Sequence, residues 1–172
     1  MFLEQPTFST VIASTPLVSI DLVVINANGQ VLLGKRLNRP AKDFWFVPGG
    51  RILKNEPLAE AFKRLTRDEL GQEFTIDQAT LLGPFDHFYT DNVFSDFSDS
   101  VFSGNVSATD NTTHYVAIAY YLKLDSQLDN LPLAIQHGGY KWFDVLSLMI
   151  DDNVHIHTKW YFDKAYTDLI KE

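Results

Sequence analysis

The chain has 172 residues, 45% of them hydrophobic, with thirteen Phe, seven Tyr and three Trp. That is ample core for one domain of ordinary size and excludes disorder along the whole chain. It has no Cys, which rules out disulfides and thiolate metal sites, and a net charge of −8, which disfavours a broad nucleic-acid grip.

The start, Met1-Phe2-Leu3-Glu4-Gln5, lacks the basic and apolar regions of a signal peptide. No apolar run approaches the ~20 residues that span a bilayer. The expectation is a cytoplasmic protein with no membrane partner. Pro16 to Ile25 is β-branched and apolar and predicts a strand. Asn26-Ala27-Asn28-Gly29 is a turn signal, and Gln30 to Arg36 reads as the return strand. Phe44 to Val47 is a short extended run stopped by Pro48-Gly49-Gly50. Pro57 to Leu70 has helical period, with Pro at the start and Gly71 just past the end. Phe74 to Tyr89 predicts one or two strands. Residues 90 to 112 form a Ser/Asp/Asn-rich stretch without Lys or Arg, long enough that it either carries function or moves. Thr113 to Leu124 is a strong strand, Tyr140 to Phe143 a short one, and Lys159 to Ile170 a C-terminal helix. Strands dominate with helices inserted, so the pattern predicts an α/β or α+β sandwich, without repeats or a dividing linker.

The charge is uneven. Residues 35 to 67 hold nine of the 14 cations and only three acids, a local charge of +6. This is either a solvated basic face or a compact anion site. Gly49-Gly50 lies inside the stretch, and glycines let backbone approach a ligand closely.

Within the predicted helix, Leu58, Phe62, Leu65 and Glu69 share one stripe, because eleven steps of 100° return to within about 20° of the start. An acid at the C-terminal end of a helix is disfavoured by the macrodipole. Either the stripe has reached solvent there, or Arg67 or another base pairs with Glu69, or the carboxylate serves a metal or phosphate site. Glu60 and Arg64, at i and i+4, predict an ordinary surface pair.

Gly50, Glu56 and Arg64, followed by Leu65-Thr66-Arg67-Asp68-Glu69-Leu70-Gly71, resemble a Nudix box, G-x5-E-x7-R-E-U-x-E-E-x-G-U with U aliphatic. Leu65 stands where the family has the first Glu, Asp68 replaces another, and Thr66 and Gln72 replace aliphatic positions. The degraded box resembles the divergent Nudix branch of GDP-mannose mannosyl hydrolases. The likeness extends through STPLVSIDLVV, LLGKRLNRPA, FWFVPGGR, DHFYTDN, TTHYV and DDNVH. Only about residues 94 to 109 fall outside it, as a loop insertion. The resemblance implies a single Nudix domain over residues 1 to 172, an α/β/α sandwich with a mixed central sheet. It also implies Mg²⁺, with Mn²⁺ as a substitute, and a homodimer.

The implied reaction is hydrolysis of GDP-mannose, with GDP-glucose as a further substrate, to GDP and free sugar. Losing a hard ligand at Leu65 argues against several metals. One Mg²⁺ can still be held by few protein oxygens, completed by diphosphate and water. The resemblance maps those ligands to the Gly49 carbonyl, Glu69 and Gln136; read by itself, Gln136 would be an exposed loop amide. It maps the base for water to His137, before a flexible Gly138-Gly139 pair, and the leaving-group arginines to Arg36 and Arg51. An imidazole is largely free base at neutral pH. Attack opposite an α-linked GDP implies inversion. Asp21, His87 and Tyr115 are candidates for sugar or phosphate contacts, and Phe2, Leu3 and Phe8 for guanine. Each also reads as an ordinary structural residue. His155 and His157 have no carboxylate or Cys partner at ligand spacing and receive no role. A conventional Nudix pyrophosphohydrolase and a non-catalytic sugar-nucleotide binder are the rival readings.

Overall fold

The computed structural model describes residues 3–94, 112–125, 128, 130–133 and 136–163. Phe2, residues 95–109 of the expected insertion, and residues 164–170 of the expected C-terminal helix lie outside the described residues. In chain order the elements are α1 (Gln5–Ser14), β1 (Leu17–Ile25), β2 (Val31–Arg36), β3 (Trp45–Phe46), β4 (Gly49–Arg51) and α2 (Leu58–Leu70), then β5 (Thr80–Tyr89), β6 (Thr113–Lys123), β7 (His137–Phe143), α3 (Val145–Ile150) and α4 (Ile156–Trp160). Among the described residues the strands form one mixed sheet with the path β3-β2-β1-β6-β5, with β4 paired to β1 and β7 to β2. β1 and β6 run parallel over nine register pairs, Leu17↔Tyr115 to Ile25↔Lys123. The other pairings are antiparallel. This is the expected sandwich with a mixed central sheet.

The sheet is forked. β1 and β2 pair at Ile25↔Val31 beside their turn. Beyond it β1 pairs instead with β4, at Ser19↔Arg51, Ile20↔Gly50 and Asp21↔Gly49, while β2 pairs with β3 and β7. The turn that starts the fork is built by Asn26, whose side-chain oxygen accepts the Asn28 and Gln30 amides, and by Gly29 at φ 76°.

Alternation along β1 sends Ile20, Leu22 and Val24 to one face, where they pack with Phe62, Leu65 and Leu70 of α2. Val23 and Ile25 point to the other face, packing with Leu148 of α3, Val154, Tyr161 and Phe162. Burying each large apolar side chain is worth about 1.5–3 kcal/mol. α2 starts after Pro57 and ends at Gly71, whose φ of 73° only glycine adopts cheaply. The helix lies close on β4, since a Cβ added to Gly50 would come within 2.8 Å of Leu65 Cδ2.

Several expectations need correction. α1 was not foreseen, because QPTFSTVIAS has no apolar stripe and buries only Ile12. The strand after Phe74 begins at Thr80, preceded by a 3-10 turn over Ile76–Gln78 that a Thr75–Gln78 capping box closes. The last strand begins at His137, so Gly138 and Gly139 belong to it, at the register shift beside β2. The C-terminal helical turn begins earlier, at Ile156, where His155 Nδ1 accepts the His157 amide, and it ends at Trp160.

Candidate active site

Glu69 lies inside the molecule, 3% exposed, at the last turn of α2. Arg67 is not its partner; it pairs with Asp68 and Glu73. Gln136 Nε2 donates to Glu69 Oε1 at 2.6 Å, and His137 Nε2 lies 3.1 Å from Oε2. An ionised carboxylate only accepts, so His137 carries its proton on Nε2 here. Tyr140 donates to the Glu69 carbonyl at 3.1 Å, satisfying one of the orphan carbonyls of the helix end. Burial, and then the Glu69 charge, raise the Tyr140 phenol well above its usual range. The compensation for an acid at a helix C-terminus therefore comes from β7 and the residue before it.

His137 is 1% exposed. Its Nδ1 has no hydrogen-bond partner among the described residues. It sits against Gly34 of β2, where an added Cβ would collide with the ring. Gln136 is half-buried, and its carbonyl accepts the Leu37 amide at 3.0 Å, which ties it to the end of β2.

Two further positions of the helix are structural. Leu65 is packed into the core at 3% exposure and offers no ligand. Arg64 does not pair with Glu60; its Nε meets Glu56 Oε1 at 2.6 Å, and Nη2 bonds Glu56 Oε2 and the Arg51 carbonyl at 2.9 Å each. The Arg64 hydrogen bond holds the Glu56 carboxyl below its usual range. The pair clamps the loop after β4 to α2. Asp68 is exposed and pairs with Arg64 and Arg67.

A second constellation lies on the other face of the fork. Asp21 follows the alternation of Val23 and Ile25 and is buried there. Its Oδ2 accepts from Tyr161 at 2.6 Å, and the Tyr161 oxygen is 3.1 Å from His87 Nε2. Burial pushes the Asp21 carboxyl up to about 6, with the Tyr161 hydrogen bond and the Arg36 charge opposing. Burial pushes the Tyr161 hydroxyl far up, aided by Asp21. Burial, then the His157 and His155 rings, bring His87 down to about 3. The His87 ring stacks on His157 at 4.3 Å with 10° between planes.

Arg36, at the end of β2, joins this group through its charge on Asp21. The β2–β7 register shifts between Gly34 and Arg36, and Arg36 pairs with His137. The extra residue lies on β7, and the Arg36 guanidinium lies 5.7 Å from the Phe46 ring while its Nε donates to the Pro40 carbonyl at 2.9 Å. Arg51 on β4 lies 4.2 Å from the Phe8 ring of α1. Tyr115 pairs with His87 across β5 and β6. Burial raises its hydroxyl, while the Arg51 and Arg36 charges oppose. Leu3 is exposed.

The fork thus separates Glu69, Gln136 and His137 on one side from Asp21, His87, Tyr115, Arg36 and Arg51 on the other. The strand pairs Asp21↔Gly49 and Arg36↔His137 flank the gap. Sequence reasoning missed Tyr161, Tyr89, Tyr140, His155 and His157. Tyr161 stands 140 residues from Asp21, and no spacing rule links them.

One buried carboxylate touching one amide is a hard-oxygen donor set, and β4 with Gly49 packs against the same helix. Among the described residues no three His, Cys, Asp or Glu side chains converge on a point. This fits an ion that takes most of its ligands from substrate and water, as Mg²⁺ does, and not an all-protein cage.

Residues 15–163 match the family model described as NUDIX domain. The low-salt glycan biosynthesis protein Agl8 of Haloferax volcanii is 43% identical over 137 residues, covering 80% of this chain and 76% of that protein. The crystal structure of a MutT protein from Methanosarcina mazei aligns with a TM-score of 0.66 at 16% identity, covering 92% of this chain and 99% of that one. The NUDIX domain of Shewanella oneidensis NrtR, solved with ADP ribose, aligns at 0.62 and 15% identity, covering 97% and 99%. The two structural likenesses speak for the fold alone, but the family model spans nearly the whole described chain and the archaeal relative covers most of it. With the degraded box on α2 and the forked sheet, they establish that the chain belongs to the NUDIX domain family of hydrolases.

Proposed function

We propose that the chain hydrolyses a GDP-sugar, GDP-mannose or GDP-glucose, to GDP and free sugar by attack of water at the anomeric carbon with inversion. The observation that carries this reading is Glu69, the one buried carboxylate of α2, clasped by Gln136 and His137, with Leu65 where a second acid would stand. Activating water for attack on phosphorus asks for several carboxylate-held metals along that helix, and the helix offers one inward acid. The glycan-biosynthesis name of the Haloferax relative points the same way, because glycan assembly consumes nucleotide-activated sugars.

Nudix hydrolases generally use a divalent metal such as Mg²⁺. Glu69, Gln136 and the Gly49 carbonyl would hold it, and it would supply charge neutralisation on the diphosphate. Arg36 and Arg51 bind the diphosphate and stabilise the charge that gathers on the leaving oxygen. The terminal ionisation of a phosphoryl group lies near about 6, so GDP departs without a strong general acid. Asp21, His87 and Tyr115 hold the anomeric end of the substrate around the bond to be broken, while Phe8, with Phe2 and Leu3, takes the guanine in a homodimer. Release of His137 from Glu69, with the ring proton moving from Nε2 to Nδ1, leaves Nε2 to accept the proton of the attacking water. The water oxygen bonds to C1, the C1–O bond breaks, and its electron pair leaves with GDP.

Hydrolysis in H₂¹⁸O tests the reading. Label is expected at C1 of the sugar and none in GDP. Label in a phosphate, with GMP and sugar 1-phosphate as products, would instead mean attack on phosphorus. His137→Gln is expected to lower turnover by about 10²- to 10⁴-fold, the usual worth of a general base.

A further inference from the structure

Beside the Asp21 constellation lies a cavity of about 310 Å³. Tyr89, His155, His157 and Phe44 line it, together with the ion pair of Arg39 Nη1 and Asp91 Oδ2 at 2.7 Å. None of these residues has a part in the reaction as described so far.

The cavity adjoins the site through one layer of rings. His157 stacks on His87, which is bonded to Tyr161 and through it to Asp21. Tyr89 stands edge-on to Tyr115 at 6.2 Å and to His157 at 4.8 Å. His155 packs against Tyr89 at 5.5 Å and edge-on to Phe44 at 5.2 Å.

Its size, shape and charge select the occupant. The volume is at the low end of small-molecule sites, about 300 Å³ upward, so it suits one ring and not a nucleoside diphosphate. Flat aromatic walls suit the C–H faces of a pyranose, and a planar Arg–Asp pair suits adjacent hydroxyls, one giving and one accepting protons. His157 is buried, and its Nδ1 has no hydrogen-bond partner among the described residues. A sugar hydroxyl can donate or accept there, which a phosphate oxygen cannot. Burial brings both His155 and His157 down to about 4, the Arg36 charge adding for His155 and the His155 ring for His157, so the inner wall is uncharged near neutrality. Exposed Lys42 adds one cation to the lining, while Asp91 offsets Arg39. A diphosphate is better served by Arg36 and Arg51.

We propose that this cavity seats the glycosyl group as a pyranose against Tyr89, His155 and Phe44, its hydroxyls on Arg39 and Asp91, with His157 deciding which sugar fits. The assignment rests on the reading of the site as one for nucleoside diphosphate sugars. The test is calorimetric binding of GDP, GDP-mannose and GDP-glucose, with Mg²⁺, to the full chain carrying His137→Gln so that the sugar nucleotides survive the titration. Phe44→Ala and Asp91→Asn are then added singly. Both positions are partly or largely exposed, which keeps folding out of the result. Each is expected to weaken GDP-mannose about tenfold, the size of one lost stacking or charge-assisted contact, and GDP by less than twofold. His157→Gln is expected to change the ratio of GDP-mannose to GDP-glucose affinity. Equal losses for GDP and GDP-mannose, or no loss for either, overturn the assignment. So does failure of both GDP-hexoses to bind. Products are read separately on the unmodified chain: GMP and sugar 1-phosphate would sink the reaction proposed above while leaving the cavity judged by its affinities.

Discussion

Tyr161 shows how much a single residue determines. Its hydroxyl is buried between Asp21 and His87 and bonds both, so it fixes the orientation of two groups from different strands. It also limits the rise in the Asp21 carboxyl, because a donated hydrogen bond favours the ionised form. Tyr161→Phe keeps the ring and removes only the oxygen. Stability should fall by about 1–3 kcal/mol, the cost of leaving a buried polar group unsatisfied. The Asp21 carboxyl should titrate above its present value of about 6. Carbon-13 NMR of the carboxyl carbons checks this, and an Asp21 titration that stays in place would mean that Tyr161 only fills space.

At the scale of elements, the β2 strand carries the two sides of the fork two residues apart, at Gly34 and Arg36. Gly34 gives room to His137, and Arg36 puts its charge on Asp21. Gly34→Ala should therefore act on the site through His137. A methyl group there meets the imidazole, and overpacking of this kind costs about 1–3 kcal/mol. The melting temperature should drop, and the His137 ring resonances should shift as the Glu69 contact is broken. A variant with unchanged stability and unchanged His137 shifts would show that the ring yields without leaving Glu69. The Glu56–Arg64 clamp belongs to the same scale, since it ties the loop after β4 to α2 by two bonds that span eight residues.

Across the whole molecule the buried imidazoles make stability depend on acid. His87, His155 and His157 titrate at about 3, 4 and 4 in the folded chain, below their unfolded value of ~6.5. A base with a depressed folded pKa contributes stability above the unfolded pKa and loses it as pH falls toward the folded one. Asp21, raised to about 6, works the other way: it favours the folded state as pH falls from 6 toward ~3.9. Three imidazoles against one carboxyl leave a net uptake of about two protons on unfolding near pH 5, or roughly 2.7 kcal/mol lost per pH unit. Denaturant titrations at pH 7, 6 and 5 should show this loss. Stability that is flat over this range would mean the imidazoles are solvated in the folded chain.

The box on α2, the strands from Pro16 to Arg36 and the cationic stretch were legible because they are local. Period, turn chemistry and residue spacing act over a few residues. The same locality explains why Glu69 could be singled out as an acid on an apolar stripe, while its partners could not be chosen from the helix alone. Arg67 was nearest along the chain, but folding brought Gln136 and His137 to it and turned Arg67 outward. The imidazoles of DDNVHIH looked idle because nothing nearby in sequence could engage them, yet the sheet lays His157 on His87 and opens the cavity beside it. The sequence alone therefore determined the family, the helix and the acid on it, each set by contacts within about one or two turns of backbone. The tertiary structure decided which groups meet across the fork. Those meetings join residues 67 to 140 positions apart, and only packing of the two faces of one sheet brings them within a hydrogen bond.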